Sequence, residues 1–385
     1  MKTIEEMQKR HARIWRILYH LLSPFICRRF RLTKEDLHVD GPVFLIPNHV
    51  TAWDPLIAAM SLKDKQIYYV ASEHIFRLGF VSKVLAFLVG PIARPKGTSS
   101  IETVKTCMEH FKAGHSICLF AEGEQTWDGR TCAIFPATGK LVKMSGATLV
   151  TFRIEGGYFS LPRWGKGLRK GRVYAHPVQI YSPEQLRGMS AKEINAAISR
   201  DIYEDAFARQ EETPVRYRSR KRAEGLERAL YLCPSCKKIG TLKSRKDRLY
   251  CSCGFGTSYG ENCFFEPAAP FRTIAEWDAW QKKELRAMYE SAAPDQLLFA
   301  DDQLAFKQIL SGHGEQRLGS GRLEQYPDRI VFRGQSIALS EIESLALVQA
   351  NTVLFSTRSV YCELKTKKDI NLRKYLEIYQ LYKGK

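Results

Sequence analysis

Apolar runs of strand length alternate with longer, helix-type stretches between residues 42 and about 207. Such an order predicts strands separated by helices and is typical of an α/β layered domain. We expect a mixed sheet flanked by helices that extends over residues 35–212. The predicted strands are residues 43–46, 66–70, 116–120, 148–152 and 172–176, and the predicted helices are residues 55–62, 76–88, 100–112, 140–145 and 191–208.

The pattern changes towards the C-terminus. Residues 266–292 predict a connecting helix, and from residue 293 onward the apolar runs become short and closely spaced. This spacing predicts a mainly β domain over residues 293–385 that ends in one helix at 370–382. Many strands followed by one closing helix resemble a pleckstrin-homology-like or GRAM-type module, which would bind lipids or proteins or brace its neighbours.

Residues 1–34 predict a separate amphipathic segment. Residues 14–22 are mostly apolar, and arginines follow at positions 28, 29 and 31. We interpret this as a helix that lies in the head-group layer of a membrane. The alternative is a helix packed on the core of its own domain. No run of about 18 apolar residues occurs, so no membrane-spanning helix is expected, and the first residues lack the apolar core of a secretory signal.

The composition changes this picture mainly through charge. The chain has 385 residues, 44% hydrophobic and 26% charged, which is enough for two or three folded domains and argues against wholesale disorder. The net charge of +18 indicates an anionic partner, either a membrane surface or nucleic acid. Residues 213–228 contain a dense arginine run and predict a basic linker, which could contact anionic lipid or nucleic acid or simply be solvated.

Four of the ten cysteines form two closely spaced pairs, Cys233 with Cys236 and Cys251 with Cys253. Two such pairs separated by a short hairpin predict a zinc ribbon over residues 229–265, with a structural zinc ion because all four ligands are sulfur. A redox-active dithiol pair is the alternative. Cys263 could substitute for one of the four ligands.

An asparagine–histidine pair and an aspartate follow the first predicted strand, as Asn48, His49 and Asp54. The strand would place His49 at the edge of the sheet, and the turn into the next helix would bring Asp54 back towards it. A neutral imidazole can take a proton from a hydroxyl, while a carboxylate on its other nitrogen fixes the tautomer and stabilises the imidazolium. The spacing alone also fits an ordinary helix start that is capped by Thr51 or Asp54.

Three further segments follow in a fixed order: Arg94 after a short apolar run, the block Phe-Ala-Glu-Gly-Glu-Gln-Thr at residues 120–126, and an apolar strand at residues 147–152. Together with Asn48, His49 and Asp54, this series resembles the glycerolipid acyltransferase family, which includes the lysophosphatidic acid acyltransferases. The resemblance covers roughly residues 35–210.

The resemblance implies an O-acyltransferase of phospholipid synthesis. His49 would be the general base that deprotonates a hydroxyl of a lyso-glycerolipid, and Asp54 would orient it. The expected acceptor is 1-acylglycerol-3-phosphate, with a different lyso-lipid as the alternative. The acyl group would come from a thioester of coenzyme A or of acyl carrier protein, and no catalytic cofactor would be needed.

The block at residues 120–126 departs from the family pattern at two positions. Gln125 stands where the family has an arginine that helps to hold the acceptor phosphate, and Ala121 stands where it has a proline. A glutamine cannot offer a charged bidentate fork, so either another cation holds the phosphate or the acceptor has a different head group. The expected substrate-binding residues are Asn48, Arg94, Lys96, Glu122, Gly123 and Arg130.

Two other classes of function stay open. A zinc ribbon with a basic linker could engage nucleic acid, although no nucleic-acid-binding fold is recognisable and nucleic acid is not an expected partner. A degenerate acyltransferase domain could serve as a scaffold. The expected partners are an anionic membrane surface, the lyso-lipid acceptor and the acyl donor, and the expected location is cytoplasmic, on the cytoplasmic face of the membrane.

Overall fold

The computed structural model describes residues 4–72, 76, 80–94, 101–268, 270–310, 314–358 and 360–384. These residues form two compact units. Unit 1 contains residues 1–163 and 168–218, and unit 2 contains residues 164–167 and 219–385. We describe each unit by itself.

Unit 1 is built on a mixed sheet, which in the described residues has seven strands in the order β1-β7-β6-β2-β5-β3-β4. Strand β7 runs antiparallel to β6, and the other pairings are parallel. The central strand β2 is buried along its whole length, as expected for a strand covered on both faces. The strands are β1 (Leu32–Lys34), β2 (Val43–Pro47), β3 (Ile67–Ser72), β4 (Ile92–Arg94), β5 (Ser116–Cys118), β6 (Thr148–Glu155) and β7 (Val173–Tyr181).

Helices cover this sheet and complete a core in which Phe44 packs on Phe111 at 5.0 Å between ring centres. The predicted α/β class with a mixed sheet is therefore confirmed. The helices of unit 1 are α1 (Ile4–Phe30), α2 (Asp54–Ala59), α3 (Phe80–Val89), α4 (Ile101–Lys112), α5 (Thr138–Ser145), α6 (Gly157–Ser160), α7 (Pro183–Gly188), α8 (Ala191–Ile202) and α9 (Ala206–Glu212).

The sequence predicts one helix over residues 191–208, but the structure has two, α8 and α9. The chain leaves the helix at Tyr203, whose backbone is extended. Asp205 then caps α9, because its carboxylate accepts the N–H groups of Phe207 and Ala208. Aspartate at this position stabilises a new helix start. The break turns Glu204 inwards, where it is buried.

One face of helix α1 packs on the rest of unit 1. Trp15 Nε1 donates to the carbonyl of Leu62 at 3.0 Å, and the Tyr19 hydroxyl donates to that of Met60 at 3.2 Å. Another row of apolar side chains on α1 stays exposed, namely Ile17 (63%), Leu21 (68%) and Phe25 (52%). Among the described residues, no helix combines the length and the apolar character that crossing a bilayer requires.

Unit 2 combines a small sheet, β11-β10-β9-β8, and a larger sheet, β15-β14-β13-β12-β18-β17-β16. Both sheets are antiparallel throughout. The mainly β character of the C-terminal region is therefore confirmed. The strands are β8 (Leu242–Arg245), β9 (Arg248–Cys251), β10 (Gly256–Tyr259), β11 (Phe265–Glu266), β12 (Phe299–Ile309), β13 (Glu315–Gln325), β14 (Arg329–Phe332), β15 (Gln335–Ala338), β16 (Ser344–Val348), β17 (Thr352–Ser356) and β18 (Tyr361–Lys365).

Two helices brace unit 2, α10 (Ile274–Ser291) and α11 (Arg373–Tyr382). They are joined by a buried ion pair in which the two terminal guanidinium nitrogens of Arg373, Nη1 and Nη2, contact Asp278 at 2.7 and 2.8 Å. Burial penalises each charge, and the partner charge offsets that penalty. The Asp278 carboxyl accordingly keeps a pKa below its ordinary value, although burial acts in the opposite direction.

The backbone of the predicted basic linker at residues 213–228 is held by buried residues, while the side chains of Arg216, Arg218 and Arg220 are exposed. In unit 1, Tyr217 is fully buried, and the side chain of Gln210 bonds both the N–H and the carbonyl of Val215. In unit 2, Leu226 is fully buried at the start of a short 3₁₀ turn, Leu226–Arg228. The arginine run dominates the composition of this segment, but its few apolar residues decide where the backbone lies.

Candidate active site and cysteine cluster

His49 lies on the loop that leads from β2 into α2. Strand β2 ends at Pro47, and Asp54 is the first residue of α2, so the loop brings the carboxylate back to the imidazole. His49 Nδ1 is 2.8 Å from Asp54 Oδ2. The structure therefore brings together the two residues that the sequence predicts to be catalytic.

The Asp54 carboxylate is fully buried and bonded on every side. Its Oδ2 accepts the N–H of Val50 at 2.6 Å and that of Thr51 at 2.9 Å, and its Oδ1 accepts the Thr51 hydroxyl at 3.0 Å. This acceptor fixes the proton of the imidazole on Nδ1. Asp54 also closes the loop before α2. The same carboxylate therefore fits both the helix-start interpretation and the catalytic interpretation of the motif.

The other ring nitrogen of His49, Nε2, has no hydrogen-bond partner within the part of the chain that the structure describes. The ring stacks on Phe120 with 4.3 Å between ring centres. The His49 side chain is 18% exposed, so it is reachable from outside although most of it is buried. A nitrogen with this tautomer and this access can accept a proton from a bound hydroxyl.

In chain order, the four motif segments are blocks one to four: residues 48–54, the segment ending at Arg94, residues 120–126, and residues 147–152. The third block holds the backbone of His49 on both sides. Glu122 Oε1 accepts the His49 N–H at 2.6 Å, and the Thr126 N–H donates to the His49 carbonyl at 3.0 Å. Glu122 Oε2 accepts the N–H of Cys132 at 2.5 Å. Burial raises the pKa of Glu122 to about 8 although these donors oppose the shift. Both oxygens accept an N–H, and these two bonds stabilise the ionised form against the effect of burial.

Asn48, predicted to bind substrate, is fully buried and bonded within the protein. Its side-chain amide spans the neighbouring strand β6, because Oδ1 accepts the Ile154 N–H at 2.7 Å and Nδ2 donates to the Ile154 carbonyl at 3.1 Å. Nδ2 also lies 3.3 Å from Glu204 Oε2, beyond the break between α8 and α9. These contacts position the residue that precedes His49.

Gly123 and Arg94 both lie against the ring of Phe135. Gly123 has a φ of +72°, and a Cβ there would stand 2.2 Å from Phe135, so a glycine is required. The Arg94 guanidinium lies 4.3 Å from the centre of the same ring. Burial lowers the pKa of Arg94. The structure thus brings the second and third blocks together. Lys96, the neighbouring predicted cation, lies outside the described residues.

Arg130 is engaged elsewhere. Its Nε lies 2.8 Å from Asp205 Oδ2, and about half of its side chain is exposed. This ion pair joins the loop after the third block to the start of α9. Arg130 is therefore less available than Arg94 for a substrate phosphate.

Sequence reasoning missed Arg163. Its Nη1 donates to the Gln125 carbonyl at 2.7 Å and to Glu124 Oε2 at 3.1 Å, and its guanidinium lies 4.0 Å from the centre of the Trp127 ring. The side chain is almost fully buried. Arg163 therefore anchors the loop whose motif carries Gln125 in place of arginine. No local sequence signal points to a contact between positions 38 residues apart.

Comparison with known proteins agrees with this geometry. Residues 29–155 match the family described as Acyltransferase. A curated relative, 1-acyl-sn-glycerol-3-phosphate acyltransferase LPAT1 (chloroplastic) of Arabidopsis thaliana, is 25% identical over 130 residues. That alignment covers 34% of this chain and 36% of the relative. The region that matches the family, residues 29–155, includes the His49–Asp54 pair and residues 120–126. This part of unit 1 is thus similar to acyltransferases, and the chain spans about a third of the length of the curated relative.

Among solved structures, the chain is similar to the 1-acyl-sn-glycerophosphate acyltransferase PlsC from Thermotoga maritima. The two are 15% identical with a TM-score of 0.37, and the alignment covers 51% of this chain and 78% of the other. In this chain, His49 follows β2, residues 120–126 follow β5, and Arg94 is the last residue of β4.

Outside the acyltransferase domain, unit 2 brings four cysteine sulfurs together. The Sγ atoms of Cys233, Cys236, Cys251 and Cys253 all lie within 4.8 Å of one another. Cys233 lies 3.7 Å from Cys253, and Cys236 lies 3.8 Å from Cys251. Tetrahedral zinc with bonds of ~2.3 Å requires about 3.8 Å between its sulfurs. The cluster fits that ion, and it does not include Cys263.

Proposed function

We propose that unit 1 transfers a fatty acyl group from an acyl thioester to a hydroxyl of a lyso-glycerolipid. The observation that carries this proposal is the 2.8 Å contact between His49 Nδ1 and Asp54 Oδ2, which leaves Nε2 as the proton acceptor. The curated relative is a 1-acyl-sn-glycerol-3-phosphate acyltransferase, which supports 1-acylglycerol-3-phosphate as the acceptor. Another lyso-lipid remains the alternative because of Gln125.

In the proposed reaction, the acceptor hydroxyl lies against His49 Nε2. Its proton passes to Nε2 as its oxygen attacks the thioester carbonyl, and a tetrahedral intermediate forms. The intermediate collapses with cleavage of the carbon–sulfur bond, and the proton on Nε2 passes to the departing thiolate. Asp54 stabilises the imidazolium between these two steps. The products are the acylated lipid and a free thiol, and His49 returns to its starting state.

For the acceptor phosphate, we propose Arg94. It lies at the third block, against the Phe135 ring, and among the described residues no carboxylate pairs with it. A guanidinium offers the planar fork that matches phosphate oxygens. Asn48, Glu122 and Gly123 would then act indirectly, by holding the backbone around His49.

For the membrane, we propose that α1 lies in the head-group layer on the cytoplasmic face. The exposed row Ile17, Leu21 and Phe25 would enter the layer, while Arg28 and Arg29 would meet anionic head groups. Flotation with anionic vesicles tests this, with Leu21→Glu expected to weaken binding. Equal flotation of that variant and the unchanged protein would contradict the proposal.

For the cysteine cluster, we propose a structural zinc ion held by Cys233, Cys236, Cys251 and Cys253. Four sulfur ligands leave no position for water, so such a site stabilises the fold and takes no part in acyl transfer. The surrounding hairpin of β8 and β9 agrees with the predicted zinc ribbon. The likeness of residues 293–385 to a pleckstrin-homology-like module stays a prediction.

The central experiment measures transfer of a labelled acyl group from acyl-CoA to 1-acylglycerol-3-phosphate in mixed micelles. A general base typically contributes ~10²–10⁴-fold to the rate, so His49→Ala should lose about that factor. His38→Ala is the matched control, because His38 is exposed. Retained activity in a folded His49→Ala protein would falsify the assignment. A panel of lyso-lipids and acyl carrier protein then identifies the acceptor and the donor.

A further inference from the structure

Four arginines line one pocket of unit 1. Arg31, Arg172, Arg216 and Arg218 surround a space of about 530 Å³, together with the segments around Gly171 and residues 213–215. No carboxylate lines this pocket. Within the described residues, Arg31, Arg172 and Arg216 make no ion pair. Like charges gathered in a concave site raise the local concentration of anions, and guanidinium groups bind phosphate oxygens in bidentate fashion.

The backbone that carries these arginines is fixed. Tyr217, between two of them, is fully buried, and its hydroxyl donates to the Arg172 carbonyl at 3.3 Å. Lys170 and Arg218 exchange two backbone hydrogen bonds, of 2.9 and 3.1 Å. The Tyr217 ring also packs on Gly171, where a Cβ would stand 2.0 Å from it. A fixed backbone means that the charges are gathered before a ligand arrives, which lowers the entropic cost of binding.

The pocket lies at the same end of the sheet as His49. Strand β6 is parallel to β2, and β7 is antiparallel to β6, so Arg172, just before β7, stands at the end where β2 delivers His49. Arg31 stands there too, because β1 is parallel to β7. With strands ~4.8 Å apart, Arg172 is about two strands, or ~10 Å, sideways from β2, and Arg31 is about three strands, or ~14 Å. Asn48 bonds Ile154, which pairs with Ala175, so Arg172 also lies about three residues, or ~10 Å, further along the strands. The combined separation from the start of the His49 loop is about 14 Å for Arg172 and about 17 Å for Arg31.

An adjoining pocket continues from the arginine pocket along this edge. It shares Arg172, Thr213 and Val215 and is lined further by Tyr174 and Glu155. The Glu155 carboxylate is paired with His176 at 3.3 Å and Arg153 at 3.7 Å. These partners hold the pKa of Glu155 below its ordinary value. The negative charge of Glu155 is therefore already balanced by His176 and Arg153.

We propose that the arginine pocket binds the phosphates of the acyl donor, which are those of the nucleotide end of acyl-CoA. This inference rests on the proposed acyl transfer. The arm between the pyrophosphate and the thioester of coenzyme A is about as long as four extended residues, or ~14 Å. It can therefore span the separation between Arg172 and the His49 loop. The acceptor is less suited, because only a few bonds separate its phosphate from the attacking hydroxyl.

The test combines direct binding with kinetics. Calorimetry measures binding of free coenzyme A, and of coenzyme A without its 3′-phosphate, to the full chain and to Arg172→Gln/Arg216→Gln. The matched control is Arg220→Gln, an exposed arginine of the same run that does not line the pocket. We expect at least a tenfold loss of coenzyme A affinity in the double variant only. The KM for acyl-CoA should rise by a similar factor while kcat and the KM for the acceptor stay unchanged.

Several outcomes would overturn the inference. These are unchanged coenzyme A affinity in the double variant, a rise in the KM of the acceptor instead, or a loss confined to binding of anionic vesicles. Absence of coenzyme A binding to the unchanged protein would also overturn it. Failure of the proposed reaction looks different, because His49→Ala should still bind coenzyme A. If the protein binds coenzyme A through these arginines but transfers no acyl group, the proposed reaction is refuted and the proposed coenzyme A site is retained.

Discussion

Glu122 accepts the backbone N–H of His49 at 2.6 Å, so the third block of the motif holds the first block directly. The Thr126 N–H completes the attachment on the His49 carbonyl. The position of the imidazole thus depends on two chain segments that are about 75 residues apart. A small displacement of the general base can cost a large factor in rate, because the reacting atoms must be held in near-attack geometry.

We expect Glu122→Gln to reduce both stability and turnover. The glutamine oxygen can accept only one of the two N–H groups that Glu122 accepts, and its NH₂ would face the other donor. An unsatisfied buried donor costs about 1–3 kcal/mol. Thermal melting and steady-state kinetics measure the two effects, with the exposed Glu212→Gln as control. An unchanged kcat in Glu122→Gln would show that this brace does not position His49.

Asp54→Asn should leave the fold largely in place but lower kcat. An asparagine keeps one oxygen for the loop amides but no longer carries the charge that stabilises the imidazolium. We expect a loss of about 10²–10⁴-fold. Circular dichroism and kinetics check this, and Asp64→Asn on the surface is the control. An unchanged kcat would show that Asp54 holds the loop but takes no part in acyl transfer.

Removal of zinc should destabilise unit 2. Metal analysis should give about one zinc ion per chain, and a strong chelator or Cys236→Ser should lower the melting temperature of unit 2. Cys27→Ser, outside the cluster, should not. Because the proposed catalytic residues all lie in unit 1, we expect acyl transfer to persist after mild chelation. Purified protein with reduced thiols but no zinc would contradict the assignment.

The contribution of a buried histidine cluster to the stability of unit 1 should decrease as the pH falls from 7 towards 5. His11 Nδ1 lies 3.2 Å from the Tyr68 hydroxyl, and His110 Nδ1 lies 3.0 Å from His115 Nδ1. Burial lowers the pKa of all three histidines, that of His110 to about 4, and Arg10 beside His11 acts in the same direction. The unfolded chain takes up these protons near pH 6.5, so acid favours unfolding.

Melting curves at pH 7.5, 6 and 5 measure this effect. His110→Phe should flatten the pH dependence, while the exposed His38→Gln should leave it as it is. An equal pH dependence of the melting temperature in His110→Phe and in the unchanged protein would show that the cluster does not titrate as its burial implies.

The contact between His49 and Asp54 could be predicted because the sequence signal for it is local. One buried strand, a histidine and an aspartate five positions later define a loop that closes on itself through Asp54. The partners of the pair were not predictable in the same way. Arg163, Ile154 and Glu204 reach the site from distant positions, and Glu204 does so only because α8 and α9 are separate.

Strand β13 shows the same limit in unit 2. Glu315–Gln325 is polar along most of its length, so its own pattern does not indicate a strand. It pairs over nearly its whole length with β12, and that pairing supplies the backbone hydrogen bonds. The strand thus forms because it pairs within the sheet, and not because of its own residue pattern.

The hydrogen bonds of Asn48 with Ile154 and Glu204 also have a consequence for synthesis of the chain. These partners lie 106 and 156 positions after Asn48. A ribosome releases the histidine motif early, long before the segments that hold it have been translated. The contacts that hold Asn48 can therefore all form only after residue 204 has emerged. A truncated product that stops short of that point would carry the histidine motif without the Glu204 contact.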